Sequence, residues 1–366
     1  MKTFFRYHLR EYLFYTFVFF FLFSVIITLV KGIFGLQKFF ELNPSLKEVF
    51  LNFGLLFLQL TSFILPLSVF LGVMFGVHRF KEDRELLGFF SLGFRFSDFL
   101  KPLCVFMLLG FVLLFLAHFW LVPYAKKLQK TMRFELTKRQ FEEPLPEKRA
   151  IPLGENHVIY VEKAKKQDKA HEFERVFLVE KGAEKKQVFL AEKGRLEPKE
   201  GVFTLYQGEG FSLGKDKTVE VFRFGEYQFF LVVKEGEQMV EFGRGELSFP
   251  ELKARLKEVE KNRRQWFRYL TEYWDRFFYP LSLFLVVFQG FLTAFFMKTH
   301  NRFLVFFTAV ALYVVFYVGY QLCHSLAENG RVYPVVSFAG FYLVFGVLVG
   351  LEAWFLFKKK RHQVYL

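Results

Sequence analysis

The feature that most constrains this chain is a set of six long apolar runs, three on each side of one charged block. The runs lie near residues 12–36, 52–78, 103–124, 277–297, 303–325 and 335–357. A helix needs about 20 apolar residues to cross the hydrocarbon core of a bilayer, and only helices or closed barrels satisfy their backbone groups there. The pattern therefore predicts an α-helical membrane protein with six transmembrane helices, three plus three, around one inserted domain outside the bilayer.

Composition supports this organisation because charged and apolar residues are segregated. Among the 366 residues 53% are hydrophobic and 57 are Phe, yet 23% are charged. The first run is too long for a signal-peptide core and no small-residue cleavage pattern follows it, so we interpret it as a retained helix. The predicted domains are residues 1–124 with the first three helices, residues 125–272 with the external β-domain and a connecting helix, and residues 273–366 with the last three helices and a basic tail.

The formal charge of +14 comes largely from basic residues at the ends of the apolar runs, not from a nucleic-acid-binding patch. Four clusters fall on one side if every run spans: Lys2, Arg6 and Arg10; Arg79, Lys81, Arg84, Arg95 and Lys101; Lys298 and Arg302; and Lys358, Lys359, Lys360 and Arg361. The opposite short loops are poorer in Lys and Arg. The positive-inside rule then predicts cytoplasmic termini and an external middle block.

The middle block changes from helical to strand-like patterning. Predicted strands are His157–Glu162, Arg175–Glu180, Gln187–Glu192, Val202–Gln207, Thr218–Phe224 and Tyr227–Val233. Strands of this length and spacing are typical of a β-sandwich or an open jelly roll. Their alternation is imperfect, which indicates strands buried on both faces or turned toward a ligand. Ser248 and Glu251 form a capping box that predicts a helix leading back to the membrane.

The sequence contains no recognisable catalytic motif. There is no Walker A motif, no His-Glu-x-x-His and no Gly-x-Ser-x-Gly, so an enzyme with its own metal or cofactor is not expected. His118 and His324 lie in apolar runs, where an ionisable group is costly and indicates function, although a neutral histidine bonded to a neighbouring helix is the simpler interpretation. Two patterns, Gly72-x-x-x-Gly76 and Gly346-x-x-x-Gly350, predict close helix packing within the chain or with a partner.

The connection after the second run predicts a short amphipathic helix. The helix would begin with the acidic residues Glu82, Asp83 and Glu85. An apolar strip follows, formed by Leu86, Leu87 and Phe90, and Gly93 ends the helix. We expect Ser97 to cap the helix that follows. An exposed helix of this kind either lies on the lipid surface or docks into a groove on a partner, and its acidic first turn favours docking.

Over nearly its whole length the chain resembles the LptF/LptG family of lipopolysaccharide-export permeases. The residues that carry the resemblance are Arg6-Tyr7 with Arg10-Glu11, Ile64-Leu65-Pro66-Leu67-Ser68, Glu82-Asp83-Arg84-Glu85-Leu86 with Gly93, Glu272…Arg276…Pro280 and Gly330…Pro334. Their order, with three spans on each side of a β-domain, is the specific part of the similarity. The first two motifs look closer to the LptF type, and the third is similar to the family's coupling helix, here near residues 82–93.

The resemblance implies a permease subunit of an ATP-driven exporter in the bacterial inner membrane. The implied partners are an LptG-like permease subunit, a cytoplasmic LptB-like ATPase dimer and an LptC/LptA-like periplasmic bridge. The cargo would be lipopolysaccharide, taken from the outer leaflet and passed through periplasmic β-jelly-roll domains. ATP and Mg²⁺ would bind to the ATPase, so this chain would bind no cofactor of its own.

Two groups of site residues follow from this comparison and from their positions. ATPase docking is expected at Arg84, Glu85, Leu86, Leu87 and Phe90. Substrate contact is expected at Lys31 and Lys38, which lie at the outer end of the first span, with snorkelling to the interface as the alternative. A permease for another lipid or lipoprotein would share this architecture. A membrane-anchored ligand sensor is a further alternative.

Overall fold

The computed structural model of the chain describes residues 2–40, 42–142, 148–153, 157–166, 171–181, 186–197, 202–213, 219–230, 242–299 and 301–363. The chain divides into two compact units, one helical and one mainly β. The helical unit comprises residues 1–33, 51–128 and 242–366, and the β unit comprises residues 34–50 and 129–241.

Six helical segments within the described ranges are long and apolar enough to cross a membrane, which confirms the predicted arrangement of three plus three. The α-helices are α1 (Lys2–Phe40), α2 (Leu46–Glu82), α3 (Glu85–Ser91), α4 (Phe96–Leu116), α5 (Val122–Glu142), α6 (Phe249–Glu258), α7 (Arg263–Phe296), α8 (Arg302–Glu328) and α9 (Pro334–Gln363). A π-helical turn, Ala117–Leu121, joins α4 to α5, so the third span is one continuous helix.

The core of the helical unit forms around α2 and α7. In α2, a Cβ on Gly72 would lie 2.0 Å from Oγ1 of Thr16, and one on Gly76 would lie 2.8 Å from the Tyr12 ring. These glycines therefore let α1 pack directly against the α2 backbone, since van der Waals contact at close approach is what holds helices together in lipid. Gly346 and Gly350 of α9 face open space, with no atom within 4 Å of an added Cβ.

The β unit contains one antiparallel sheet whose six described strands pair in chain order. The strands are β1 (Arg149–Leu153), β2 (His157–Lys166), β3 (His171–Lys181), β4 (Lys186–Glu197), β5 (Val202–Leu213) and β6 (Val219–Phe230). The inserted, jelly-roll-like all-β domain is thus confirmed. The sequence patterns missed β1, and β6 joins segments that were predicted as two strands. The end of the second of these, residues 231–233, lies outside the described residues.

A line of unpaired residues crosses the sheet at one level and explains why inward and outward side chains do not alternate strictly along the strands. We call this line the crease. From β2 to β6, each neighbouring pair of strands skips one residue per strand at the same level, namely Glu162, Arg175, Glu192, Gln207 and Gly225. Arg175 and Gln207 adopt positive φ angles of 51° there. The skipped residue shifts the inward–outward period by one position in each strand from β2 to β6. A β-bulge also shifts this period, but it adds a residue to only one strand of a pair, whereas here both paired strands carry one. The apolar face therefore stays continuous although no single strand alternates strictly.

The inward face of the sheet is filled by its own side chains. Buried residues on it are Ile159, Val161, Phe173, Val176, Leu178, Phe189, Ala191, Leu196, Phe203 and Leu205. At the β5–β6 pair, Phe224 and Phe222 lie opposite Gly208 and Gly210, and a Cβ on either glycine would come within 2.5 Å of the facing ring. Glycine is needed at these positions because the aromatic rings occupy the space of its missing side chain.

Two of the three predicted helix caps are present. Ser248 caps α6, and its N–H donates to Oε2 of Glu251 at 2.8 Å, which confirms the capping box. Gly93 follows α3 with a φ of 84°, which confirms its C-terminal role. The Ser97 cap was wrong, because α4 begins at Phe96 and its N-cap is Arg95, two residues before Ser97. The N–H of Arg95 donates to Asp98 at 2.9 Å.

Candidate functional site

The short helix α3 is held in place by special backbone geometry at both ends. Arg84 precedes it in a left-handed conformation, with a φ of 56°. At its other end, the N–H of Gly93 donates to the Phe90 carbonyl at 3.0 Å and the N–H of Phe94 donates to the Phe89 carbonyl at 3.1 Å. This pair of hydrogen bonds is a Schellman motif, and the Phe89 and Phe94 rings supply its usual apolar contact.

Aromatic side chains attach α3 to the first turns of α1. The Phe4 ring stacks on Phe94 with centroids 4.3 Å apart and meets Phe89 edge-on at 4.9 Å. His8, fully buried, lies 5.2 Å from the same Phe89 ring. Offset-stacked and edge-on pairs of this kind add to the stability gained from burial alone. The position of α3 is therefore set largely by α1.

The residues predicted to dock the ATPase do not share one exposed face. Leu86 is buried, and the half-buried Phe90 packs against Phe99 and Phe295, so both contribute to the core of the helical unit. Leu87 is 69% exposed, and Arg84 is exposed beside it. The surface that α3 offers to a partner is thus narrower than the sequence predicted.

The predicted docking carboxylate already has a partner inside the chain. The Tyr7 hydroxyl of α1 lies 2.8 Å from Oε1 and 2.9 Å from Oε2 of Glu85. One helical turn further along α1, Glu11 forms an ion pair with Arg79 of α2. Arg79 also contacts Asp83, at 3.3 Å. Polar groups on one side of α1 therefore face the segment that contains α3.

The predicted substrate residues lie far from α3 along the same helix. Lys31 is exposed on α1, and its neighbours Leu29, Val30 and Ile33 are exposed apolar residues. About 36 Å of helix separates it from Tyr7 at 1.5 Å per residue. Lys38 lies in α1, but its side chain is outside the part of the chain whose side chains are described. Lys31 and Tyr7, the α1 residue that contacts Glu85, thus lie toward opposite ends of α1.

A buried polar cluster in the membrane helices was missed by the sequence analysis as a group. Asp275 of α7 accepts a hydrogen bond from the Tyr320 hydroxyl at 2.7 Å and lies 3.2 Å from Nε2 of His118. His118 is therefore bonded to a neighbouring helix, whereas His324 lies 3.7 Å from Glu328 of its own helix, α8. The signal that was available is the Asp275-Arg276 pair inside an apolar helix, since such charges need partners there.

Arg276 is fully buried and ties α7 to the segment that precedes α6. Its Nη2 donates to the Leu247 carbonyl at 2.7 Å, and its Nε lies 3.7 Å from Glu272. Apart from the Arg276–Glu272 pair within α7, these contacts of Arg276 and Asp275 join α7 to other helices or loops of the helical unit. This cluster therefore stabilises packing, and no group of three or more His, Cys, Asp or Glu side chains suited to a metal occurs among the described residues.

An apolar groove of about 910 Å³ opens beside α1 in the helical unit. Its lining includes Leu13, Phe17, Leu65, Leu116 and Trp120. Lys127, Glu246 and Ser248 add a small number of polar groups. An apolar space with few polar groups suits a hydrocarbon chain better than a polar metabolite.

Comparison with known proteins gives one family. The chain matches the lipopolysaccharide export system permease LptF/LptG family over residues 6–359, which covers both sets of membrane helices and the β unit. None of the curated proteins compared with the chain matches it.

Proposed function

The chain belongs to the LptF/LptG family of lipopolysaccharide export permeases, and we propose that it is the LptF-type subunit of an ATP-driven exporter. Family membership makes it a multi-pass inner-membrane transport protein rather than an enzyme. In the proposed function it pairs with an LptG-like subunit, extracts lipopolysaccharide from the outer leaflet and passes it to an LptC/LptA-like periplasmic bridge. An LptB-like ATPase dimer binds ATP and Mg²⁺ and supplies the energy.

The observation that carries this proposal is the construction of α3. This seven-residue helix between two spans has a capped C-terminal end, an exposed Leu87 and a carboxylate, Glu85, at its start. Helix-in-groove docking uses a few such apolar and charged anchors. In the proposed complex the ATPase groove receives the exposed part of α3, while Leu86 and Phe90 transmit force to the core they pack against.

The charge distribution supports the proposed topology. By the positive-inside rule, the basic clusters favour a cytoplasmic position for both termini and α3 and a periplasmic position for the β-domain. We expect a thiol reagent added from the periplasm to label Lys215→Cys and not Lys360→Cys. The opposite labelling pattern would overturn the topology and, with it, the docking role of α3.

Charge reversal tests the docking role directly. Glu85→Lys should reduce recovery of the ATPase with the purified permease by about tenfold, equivalent to about 1.4 kcal/mol. Glu258→Lys, a reversal on the surface of α6, is the matched control and should leave recovery unchanged. Leu87→Asp provides a second variant, because this exposed side chain can change without disturbing the core. Normal ATPase recovery in both α3 variants would show that α3 rests on lipid instead.

Lys31 and Lys38 are the proposed contacts for the phosphate groups of the glycolipid. A cation exposed in an apolar span carries a cost of about 2.5–3.5 kcal/mol at mid-membrane, and less near the interface. A phosphorylated lipid would offset that cost and use the charge. Crosslinking to purified lipopolysaccharide, with a phospholipid and a lipoprotein as competitors, distinguishes this cargo from another lipid or a lipoprotein.

A further inference from the structure

We propose that Tyr7 is a positioning residue that links α3 to α1, so that movement of the docked ATPase reaches the outer end of α1. This inference rests on the proposed docking of α3 and adds the element that receives the movement. The hydroxyl of Tyr7 contacts both carboxylate oxygens of Glu85, at 2.8 and 2.9 Å. A hydrogen bond to an ionised carboxylate is stronger than one between neutral groups.

The geometry makes Tyr7 a link between helices rather than a local contact. Tyr7 lies 78 positions before Glu85, on a different helix. Its ring packs 5.6 Å from that of Phe80 at the end of α2, so the hydroxyl is held where the chain turns into α3. The neighbouring Glu11–Arg79 ion pair ties the next turn of α1 to α2. Tyr7 thus attaches α1 to α3, and Glu11 attaches α1 to α2.

The packing of α1 fits an element that moves. Only 17% of its most apolar stretch is buried, against 72% for α2. One uninterrupted helix runs from Tyr7 to the exposed Lys31. A displacement applied at Glu85 would therefore be carried along α1 to the proposed substrate end, while α2 and α7 stay fixed by their own packing. Removal of the Tyr7 hydroxyl should therefore uncouple α3 from the substrate end of α1, while ATPase docking at α3 and glycolipid contact at Lys31 are each retained.

The test is Tyr7→Phe in the complete exporter, reconstituted with its ATPase in vesicles that contain lipopolysaccharide. ATPase recovery and ATP hydrolysis should stay close to those of the unmodified complex. Glycolipid released per ATP hydrolysed should fall by about tenfold or more, since tenfold is the lower end of the loss expected for one hydrogen bond to a charged group. Tyr12→Phe is the matched control, because the buried Tyr12 hydroxyl has no hydrogen-bond partner among the described residues.

A double-mutant cycle shows whether Tyr7 acts through Glu85. Tyr7→Phe should cause no further loss of coupling in a Glu85→Ala background, because contacting residues are not additive. Glu85→Gln, which keeps an acceptor for the hydroxyl, should retain part of the coupling. One outcome would overturn this inference alone. In that outcome, Glu85→Lys loses ATPase docking, but Tyr7→Phe releases as much glycolipid per ATP as the unmodified complex. Unchanged docking in Glu85→Lys and Leu87→Asp would instead overturn the proposed function.

Discussion

Helices α1 and α7 are both long and apolar, but Lys31 of α1 and the Asp275-Arg276 pair of α7 have opposite environments. Asp275 and Arg276 of α7 are buried and bonded to side chains and carbonyl groups of the helical unit. Lys31 of α1 is exposed, and among the described residues it has no ion-pair partner. A charge that is neutralised within the chain stabilises packing, whereas one exposed on a loosely packed helix is free to meet a ligand or the interface. We therefore expect burial to separate the charges that stabilise packing in this membrane unit from those that can contact a ligand.

The largest expected effect tests the α7 side of this comparison. Asp275→Leu removes the acceptor of the Tyr320 hydroxyl and the partner of His118, and it leaves both groups buried and unsatisfied. We expect the free energy of unfolding in detergent to fall by about 2–5 kcal/mol. The same measurement on Lys31→Leu should show no loss. Equal destabilisation by the two variants would mean that the exposed and buried charges do not differ in role.

The next largest expected effect is a loss of stability when the close packing of α1 against α2 is disturbed. Gly72→Leu should destabilise the protein by about 1–3 kcal/mol or more, because its side chain would enter space held by Thr16. Gly54→Leu lies on the same helix with no atom within 4 Å of its Cβ and is the control. Thermal unfolding of the two variants checks this. A Gly72→Leu protein as stable as Gly54→Leu would contradict the close α1–α2 packing.

Lys31→Glu tests whether the exposed charge on α1 contacts the glycolipid. Expression, assembly and unfolding should match those of the unmodified complex, because the side chain lies on the surface. Crosslinking to lipopolysaccharide should drop by about fivefold, equivalent to the roughly 1 kcal/mol of an exposed ion pair. Lys31→Ala should have a smaller effect in the same assay. Normal glycolipid crosslinking in a well-assembled Lys31→Glu complex would assign Lys31 to snorkelling.

The smallest effect comes from a charge at the surface. The Lys127 ammonium, with the N–H and hydroxyl of Ser248, lowers the pKa of Glu251 from its ordinary value of 4.5 to about 2. A folded-state pKa below the unfolded one gives stability that is present above the unfolded pKa and lost as pH falls through the folded one. Glu251→Gln should cost less than about 1 kcal/mol at neutral pH, since the ion pair is partly exposed. Unfolding measured from pH 7 downward should show this difference shrinking between about 4.5 and 2, and a constant difference would contradict it.

The membrane helices and the inserted sheet could be predicted because each depends on local patterns. Runs of apolar residues report span length directly, and strand-forming residues with turn signals report the β-domain. The crease could not be predicted, since it needs the register of five strands, and a skipped residue such as Gln207 has no distinctive type. Within α3 the apolar strip was predicted, but only the fold shows that Leu86 and Phe90 turn inward while Leu87 stays exposed.

The sequence by itself determined that this chain crosses a membrane six times around a β-domain, because the bilayer imposes length and polarity rules that any single segment obeys or breaks. Only the tertiary structure decided which apolar helix is central and which is peripheral, since α1 and α2 have similar hydropathy but differ in burial. It also decided that Tyr7 meets Glu85 and that Asp275 meets Tyr320. Such contacts join residues far apart in the chain, and their partners are chosen by packing.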